Sequence, residues 1–225
     1  MKIRYLIYTL LTLAINLAAC KKDNLEAPKS TLTGRVVYQG QALGVRSNTV
    51  QLQLWQSGFA FSAPITVYVD QDGSYSAALF DGDYKLVRTA NAPWVASTDT
   101  INVKVSGNTV VDVPVQPHFI ITSETFQKSG TASMTTTFNL QKINTAATLE
   151  RVNLYLGTTT ILDEVNKEAT VQKTAAEVTN LSQPISLTAS IPAAMVSKGY
   201  LYARVGVKAV GVNEVLYTLP VKISL

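Results

Sequence analysis

Hydrophobic residues recur at every second position through most of this chain, and that period decides what it can fold into. Val50, Leu52 and Leu54 alternate with Gln51, Gln53 and Trp55, and Ile65, Val67 and Val69 with Thr66, Tyr68 and Asp70. Tyr75, Ala77 and Leu79 alternate with Ser74, Ser76 and Ala78, and Ile101, Val103 and Val105 with Asn102 and Lys104. Successive side chains of a strand point to opposite faces, so each run reads as a strand with one buried and one wet face. Gly40, Gly44, Asp72-Gly73, Asp81-Gly82 and Gly107-Asn108 separate the runs. Asp-Gly supplies the positive φ that tight hairpins require. Short strands at this spacing close most economically into a β-sandwich.

Pro114 and Pro117 interrupt the pattern, because proline cannot donate to a sheet ladder. A second period-two pattern follows. Met134, Thr136, Phe138 and Leu140 form one run, then Val152, Leu154 and Leu156, then Ile185, Leu187 and Ala189. Leu201, Ala203, Val205 and Val207 alternate with Tyr202, Arg204 and Gly206. A turn at Gly211-Val212-Asn213 leads to a last strand over 215–223. Pro192 and Gly199 suit the two ends of one helical turn. The class is therefore all-β: two tandem β-sandwiches over 31–115 and 118–225. The second is expected to be immunoglobulin-like on pattern alone, since it has no Cys/Cys/Trp core.

Ahead of the sandwiches, Lys2 and Arg4 precede an apolar run from Tyr5 to Ala19, which ends in Leu17-Ala18-Ala19-Cys20. A charged start, a short apolar stretch and small residues before a cut site form a secretory signal. The run is shorter than the ~20 apolar residues that a spanning helix needs. The motif resembles a bacterial lipobox, which implies removal of residues 1–19 and acylation of Cys20. Residues 20–30 then read as a polar tether.

Composition excludes several function classes. The formal net charge is +4, and the basic residues are scattered apart from Lys21-Lys22, so the stripe that a nucleic-acid partner requires is missing. The single Cys is consumed by acylation, which leaves no disulfide framework and no thiolate zinc site. The single His, His118, lies between the prolines and the second sandwich, a poor place for a catalytic triad. Asp70 and Asp72, and Asp81 and Asp83, could together hold a cation if both pairs met at one end of the sandwich. Hairpin turns are the simpler reading of each pair. Asp163-Glu164 reads as solvated surface rather than as the acid pair of a glycosidase. No cofactor, metal or catalytic residue is expected, and the chain is expected not to be an enzyme.

Gly34-Arg35-Val36-Val37, Gly40-Gln41-Ala42-Leu43, Asp72-Gly73-Ser74-Tyr75-Ser76 and Phe80-Asp81-Gly82-Asp83-Tyr84-Lys85-Leu86 resemble the transthyretin-like (prealbumin-like), or carboxypeptidase regulatory-like, sandwich. Together with the lipobox, Pro93-Trp94 and the second sandwich, they resemble a family of two-domain lipoproteins without an assigned activity, encoded beside starch-utilisation-type outer-membrane glycan importers. That resemblance implies an outer-membrane lipid anchor facing outward. It also implies polysaccharide and importer proteins as partners, and an accessory role in glycan capture or uptake. A rival reading is a fimbrillin-like subunit that polymerises by strand exchange.

Within this frame the candidate ligand-binding residues are aromatic. Trp55 shares a strand face with Gln51 and Gln53, and Tyr68 is on the wet side of the next strand. Phe59 and Phe61 fall in the loop between them. Trp94, in Asn91-Ala92-Pro93-Trp94, also lies outside the periodic strands, where packing at a sandwich edge competes with exposure. An exposed ring flanked by polar groups suits the C–H face of a pyranose.

Overall fold

The computed structural model describes residues 26–58, 63–90, 92–130 and 132–225; Cys20, the signal before it, Phe59 and Phe61 lie outside the described residues. The first half contains β1 (Ser30–Tyr38), β2 (Gln41–Ala42), β3 (Gln51–Gln56), β4 (Ile65–Tyr68), β5 (Ser74–Leu79), β6 (Gly82–Arg88), β7 (Thr100–Val105), β8 (Asn108–Val110) and β9 (Val113–Pro114). In one sheet β1 is the hub: β2 and β5 pair with it antiparallel, β8 and β9 parallel. The facing sheet runs β4-β3-β6-β7, antiparallel throughout. Leu32, Val36, Leu52, Leu54, Leu86 and Val103 fill the space between, as the alternation predicts. Burying each such aliphatic side chain contributes roughly 1.5–3 kcal/mol. Ile65 belongs to the inward set but starts an edge strand, and it stays exposed.

The second half contains β10 (Phe119–Ser129), β11 (Ser133–Lys142), β12 (Leu149–Gly157), β13 (Ala169–Thr174), β14 (Ile185–Ser190), β15 (Tyr200–Ala209), β16 (Leu216–Tyr217) and β17 (Val221–Ser224). One sheet runs β10-β11-β14, the other β13-β12-β15-β16, with β17 also on β15. A short helix, Ala193–Lys198, ends at Gly199, whose φ of 73° is the left-handed conformation that glycine adopts freely. The predicted last strand over 215–223 is broken in two. Pro220 has no N–H for the ladder, and the Val205 N–H is taken by the Thr218 hydroxyl at 3.1 Å.

The two sandwiches meet around Arg204, and here the alternation misleads. Arg204 is 0% exposed. Its Nε donates to the Thr218 carbonyl at 2.7 Å and its Nη1 to the Leu162 carbonyl at 2.8 Å. Its Nη2 crosses to the first sandwich, donating to the carbonyls of Gln71 at 2.8 Å and Val45 at 3.0 Å. The guanidinium also lies 4.3 Å from the centre of the Tyr217 ring. A planar fork of N–H donors can serve carbonyls in several directions at once, which an ammonium cannot. β15 is buried on both faces because the 158–168 segment and the first sandwich cover its outer side.

Gly44 permits the close approach. It bridges to Tyr217, whose N–H donates to the Gly44 carbonyl at 2.9 Å. A Cβ at Gly44 would stand 2.5 Å from the Tyr217 carbonyl oxygen. At the margin of the contact Arg46 pairs with Glu214 at 2.8 Å, and the Thr49 hydroxyl donates to the same carboxylate at 3.0 Å.

Candidate functional site

The outer face of the β4-β3-β6-β7 sheet carries the exposed aromatics. The antiparallel register sets its side chains in rows. Trp55, Lys85 and Asn102 stand side by side; the next row is Thr66, Gln53, Val87 and Thr100; the third holds Tyr68 and Gln51. Trp55 is half-buried, and Tyr68 is 47% exposed. Four residues of β3 separate their rows, about 13 Å at the usual strand rise of ~3.3 Å per residue. Two rings on one face at that spacing match an oligosaccharide better than a single sugar.

A shallow depression of about 510 Å³ lies at the Trp55 end, bordered by Asp83, Lys85, Asn102 and Lys104. Asp83 and Lys104 are directly opposed across β6 and β7. The depression thus combines an apolar ring with a carboxylate, an amide and two ammonium groups. That set can take the C–H face of a sugar while donating to and accepting from its hydroxyls.

The other sequence candidates are placed elsewhere. Trp94 is 3% exposed, so it belongs to the core and not to any ligand-facing surface. It bridges to Pro117, and the adjacent Val95 N–H donates to the Gln116 carbonyl at 2.8 Å. Packing against the connector between the sandwiches has won over exposure. His118 supports the same connector: its Nδ1 lies 3.0 Å from Asn144 Nδ2, and burial lowers its pKa.

The aspartate pairs do not meet. Asp70 and Asp72 precede β5 and Asp81 and Asp83 follow its far end, so a six-residue strand, roughly 20 Å long, separates them. The Ser74 hydroxyl, at 2.6 Å, and the Ser74 N–H hold the Asp72 carboxyl below the usual range. The Ser30 hydroxyl and the Gly107 N–H do the same for Asp81. Among the described residues no cluster of three or more metal-ligating side chains occurs.

Asp163, expected on a solvated surface, is 2% exposed. Its Oδ1 accepts the N–H groups of Val165 and Asn166, each at 2.8 Å, and so builds a tight local turn. Neighbouring Glu164 pairs with Arg151 at 3.0 Å. Period-two reading missed this turn because residues 158–168 form no strand. Asp-x-x-Asn is a turn signal, but nothing in it says that the turn will be covered.

Residues 30–116 match the family described as "Protein of unknown function (DUF3823) N-terminal domain", and residues 119–222 match the "Domain of unknown function (DUF3823_C)". No curated protein matches the chain. Among solved structures, a DUF3823 family protein from Bacteroides ovatus is 44% identical with a TM-score of 0.82. One from Parabacteroides merdae is 37% identical with a TM-score of 0.81. In both cases the match covers 88% of this chain and 100% of the other. A Bacteroides uniformis protein described as a "putative carbohydrate binding protein" shares the fold at 20% identity, with a TM-score of 0.71 and the same coverage. With consecutive family matches over both sandwiches and solved relatives aligned along their whole length, the chain belongs to the DUF3823 family, whose function is not assigned.

Proposed function

We propose that this protein is a non-enzymatic, lipid-anchored accessory component of a cell-surface glycan capture or uptake system, and that it binds glycan on the outer face of its first sandwich. One observation carries the binding claim: Trp55 and Tyr68 share one face of the sheet, with Gln51, Gln53 and Thr66 between and beside them. The carbohydrate-binding description of the Bacteroides uniformis protein points the same way. The anchor rests on the Leu17–Cys20 motif. Strand exchange is disfavoured because β1 is paired with four other strands, so its removal would dismantle the sheet.

Affinity electrophoresis of protein beginning after Cys20, through gels containing neutral polysaccharides, tests the binding claim. Retardation by at least one polysaccharide, reduced by Trp55→Ala and Tyr68→Ala, is expected. Equal mobility in every gel would overturn it. In cells, Cys20→Ser should abolish acylation, and added proteinase K should digest the wild-type protein. Protection until the outer membrane is opened would reject the outward orientation.

A further inference from the structure

The outer face of the second sandwich carries a depression of about 420 Å³ between β12, β13 and the covering 158–168 segment. Asn153 and Gln172 face each other in register across β12 and β13. Their amides make only a long contact of 3.5 Å. Beside them Tyr155 is 1% exposed, and its hydroxyl finds no hydrogen-bond partner among the protein groups. A buried hydroxyl without a partner is costly, and such groups in native proteins call for a specific reason.

The charged groups around the depression already have partners, the exposed Lys167 ammonium by donating to the Glu164 carbonyl. Arg151 is held by Glu150 and Glu164, and Glu150 also meets Lys208 at 3.7 Å. An anionic ligand would have to compete with two carboxylates for Arg151. A cation would have to draw those carboxylates away from it. An apolar ligand would strand the Asn153 and Gln172 amides. What remains free is a pair of neutral amides and a phenol, groups that both donate and accept.

Vicinal hydroxyls also donate and accept at close spacing. The geometry points to a second ligand site here, formed by Asn153, Gln172 and Tyr155, for a neutral saccharide unit bound edge-on rather than by ring stacking. The inference rests on the glycan-binding reading for its class of ligand, but not on the Trp55 face. The site is preorganised, because the covering segment is fixed by the Asp163 turn and by the Glu164 N–H donating to the Tyr217 hydroxyl at 3.2 Å. Two sites on one chain would capture a branched or long polysaccharide with avidity.

Two variants test the site without dismantling the fold. Tyr155→Phe removes a hydroxyl that bonds to nothing, and Gln172→Ala changes an exposed residue of an edge strand. Both are compared with wild type and Trp55→Ala against xyloglucan, galactomannan and amylopectin by affinity electrophoresis. Each should weaken binding of a retained polysaccharide by about tenfold, the loss of one well-placed hydrogen bond, with a melting temperature that is unchanged in Gln172→Ala and not lowered in Tyr155→Phe, which sheds a buried hydroxyl without a partner. In isotope-labelled protein, the Asn153 and Gln172 side-chain amide resonances should shift when an oligosaccharide of that polysaccharide is added. Wild-type affinity in both variants with unmoved amide resonances overturns the site and leaves the Trp55 reading standing. Binding lost in Gln172→Ala but retained in Trp55→Ala supports the site and moves recognition to the second sandwich. Absence of wild-type binding to all three polysaccharides and of any amide shift overturns both.

Discussion

Arg204 of the second sandwich donates to the carbonyl of Val45 in the first at 3.0 Å, a bond between residues 159 positions apart in sequence. With the bond to Gln71 it makes a fully buried guanidinium part of the wall between the sandwiches. Burial pulls its pKa down to about 10, so it remains charged at neutral pH. Arg204→Ala should cost about 3–5 kcal/mol, because several carbonyls lose their donor inside the protein. Arg204→Lys should recover little of it, since an ammonium cannot span the same four carbonyls. Urea unfolding measures the loss. Calorimetry should show a single transition separating into two as the sandwiches uncouple.

Gly44 makes the same contact possible from the other side. Gly44→Ala should destabilise by about 1–3 kcal/mol, the usual cost of overpacking, because the new Cβ meets the Tyr217 carbonyl. Limited proteolysis should then cut near the 114–118 connector in the variant at protease levels that leave the wild type intact.

The two tryptophans should behave oppositely. Trp55→Ala, on an outer face, should change stability by less than about 1 kcal/mol, whereas Trp94→Ala should cost about 3–5 kcal/mol as a buried aromatic. Fluorescence separates them. In Trp55→Phe the remaining emission should be blue-shifted and resistant to iodide. In Trp94→Phe it should be red-shifted and readily quenched.

Alkaline pH should weaken the fold through buried tyrosines. Tyr75, whose hydroxyl donates to the Val111 carbonyl at 2.6 Å, is pushed up to about 12 by burial. Burial also raises Tyr155 and Tyr217. Below pH 10 these phenols are protonated in both folded and unfolded chains, and their contribution is intact. Above it the unfolded chain ionises first, so stability falls as pH rises from about 10 to 12. The urea midpoint should drop over that window, and by less in Tyr75→Phe, which should start about 1 kcal/mol lower for its lost hydrogen bond.

Period two and the Asp-Gly turns were enough to determine an all-β chain and which side of β3, β5, β7 and β11 faces a core. Both are local properties of a pleated strand, set by alternation and by the φ that glycine allows. The same logic placed Trp55 and Tyr68 on the outward faces of their own strands, because faces can be counted along a strand; their sharing one sheet came from the strand pairing. It failed where a second layer covers a sheet. Arg204, Asn153 and Tyr155 stand at outward positions and are nevertheless buried, because the 158–168 segment and the first sandwich lie over them. Asp163 is enclosed within the turn that it builds itself, and Trp94 is buried against the connector at Pro117. Alternation reports two faces, not what lies against each; only the tertiary structure brings residues 45, 71, 162 and 218 to one guanidinium.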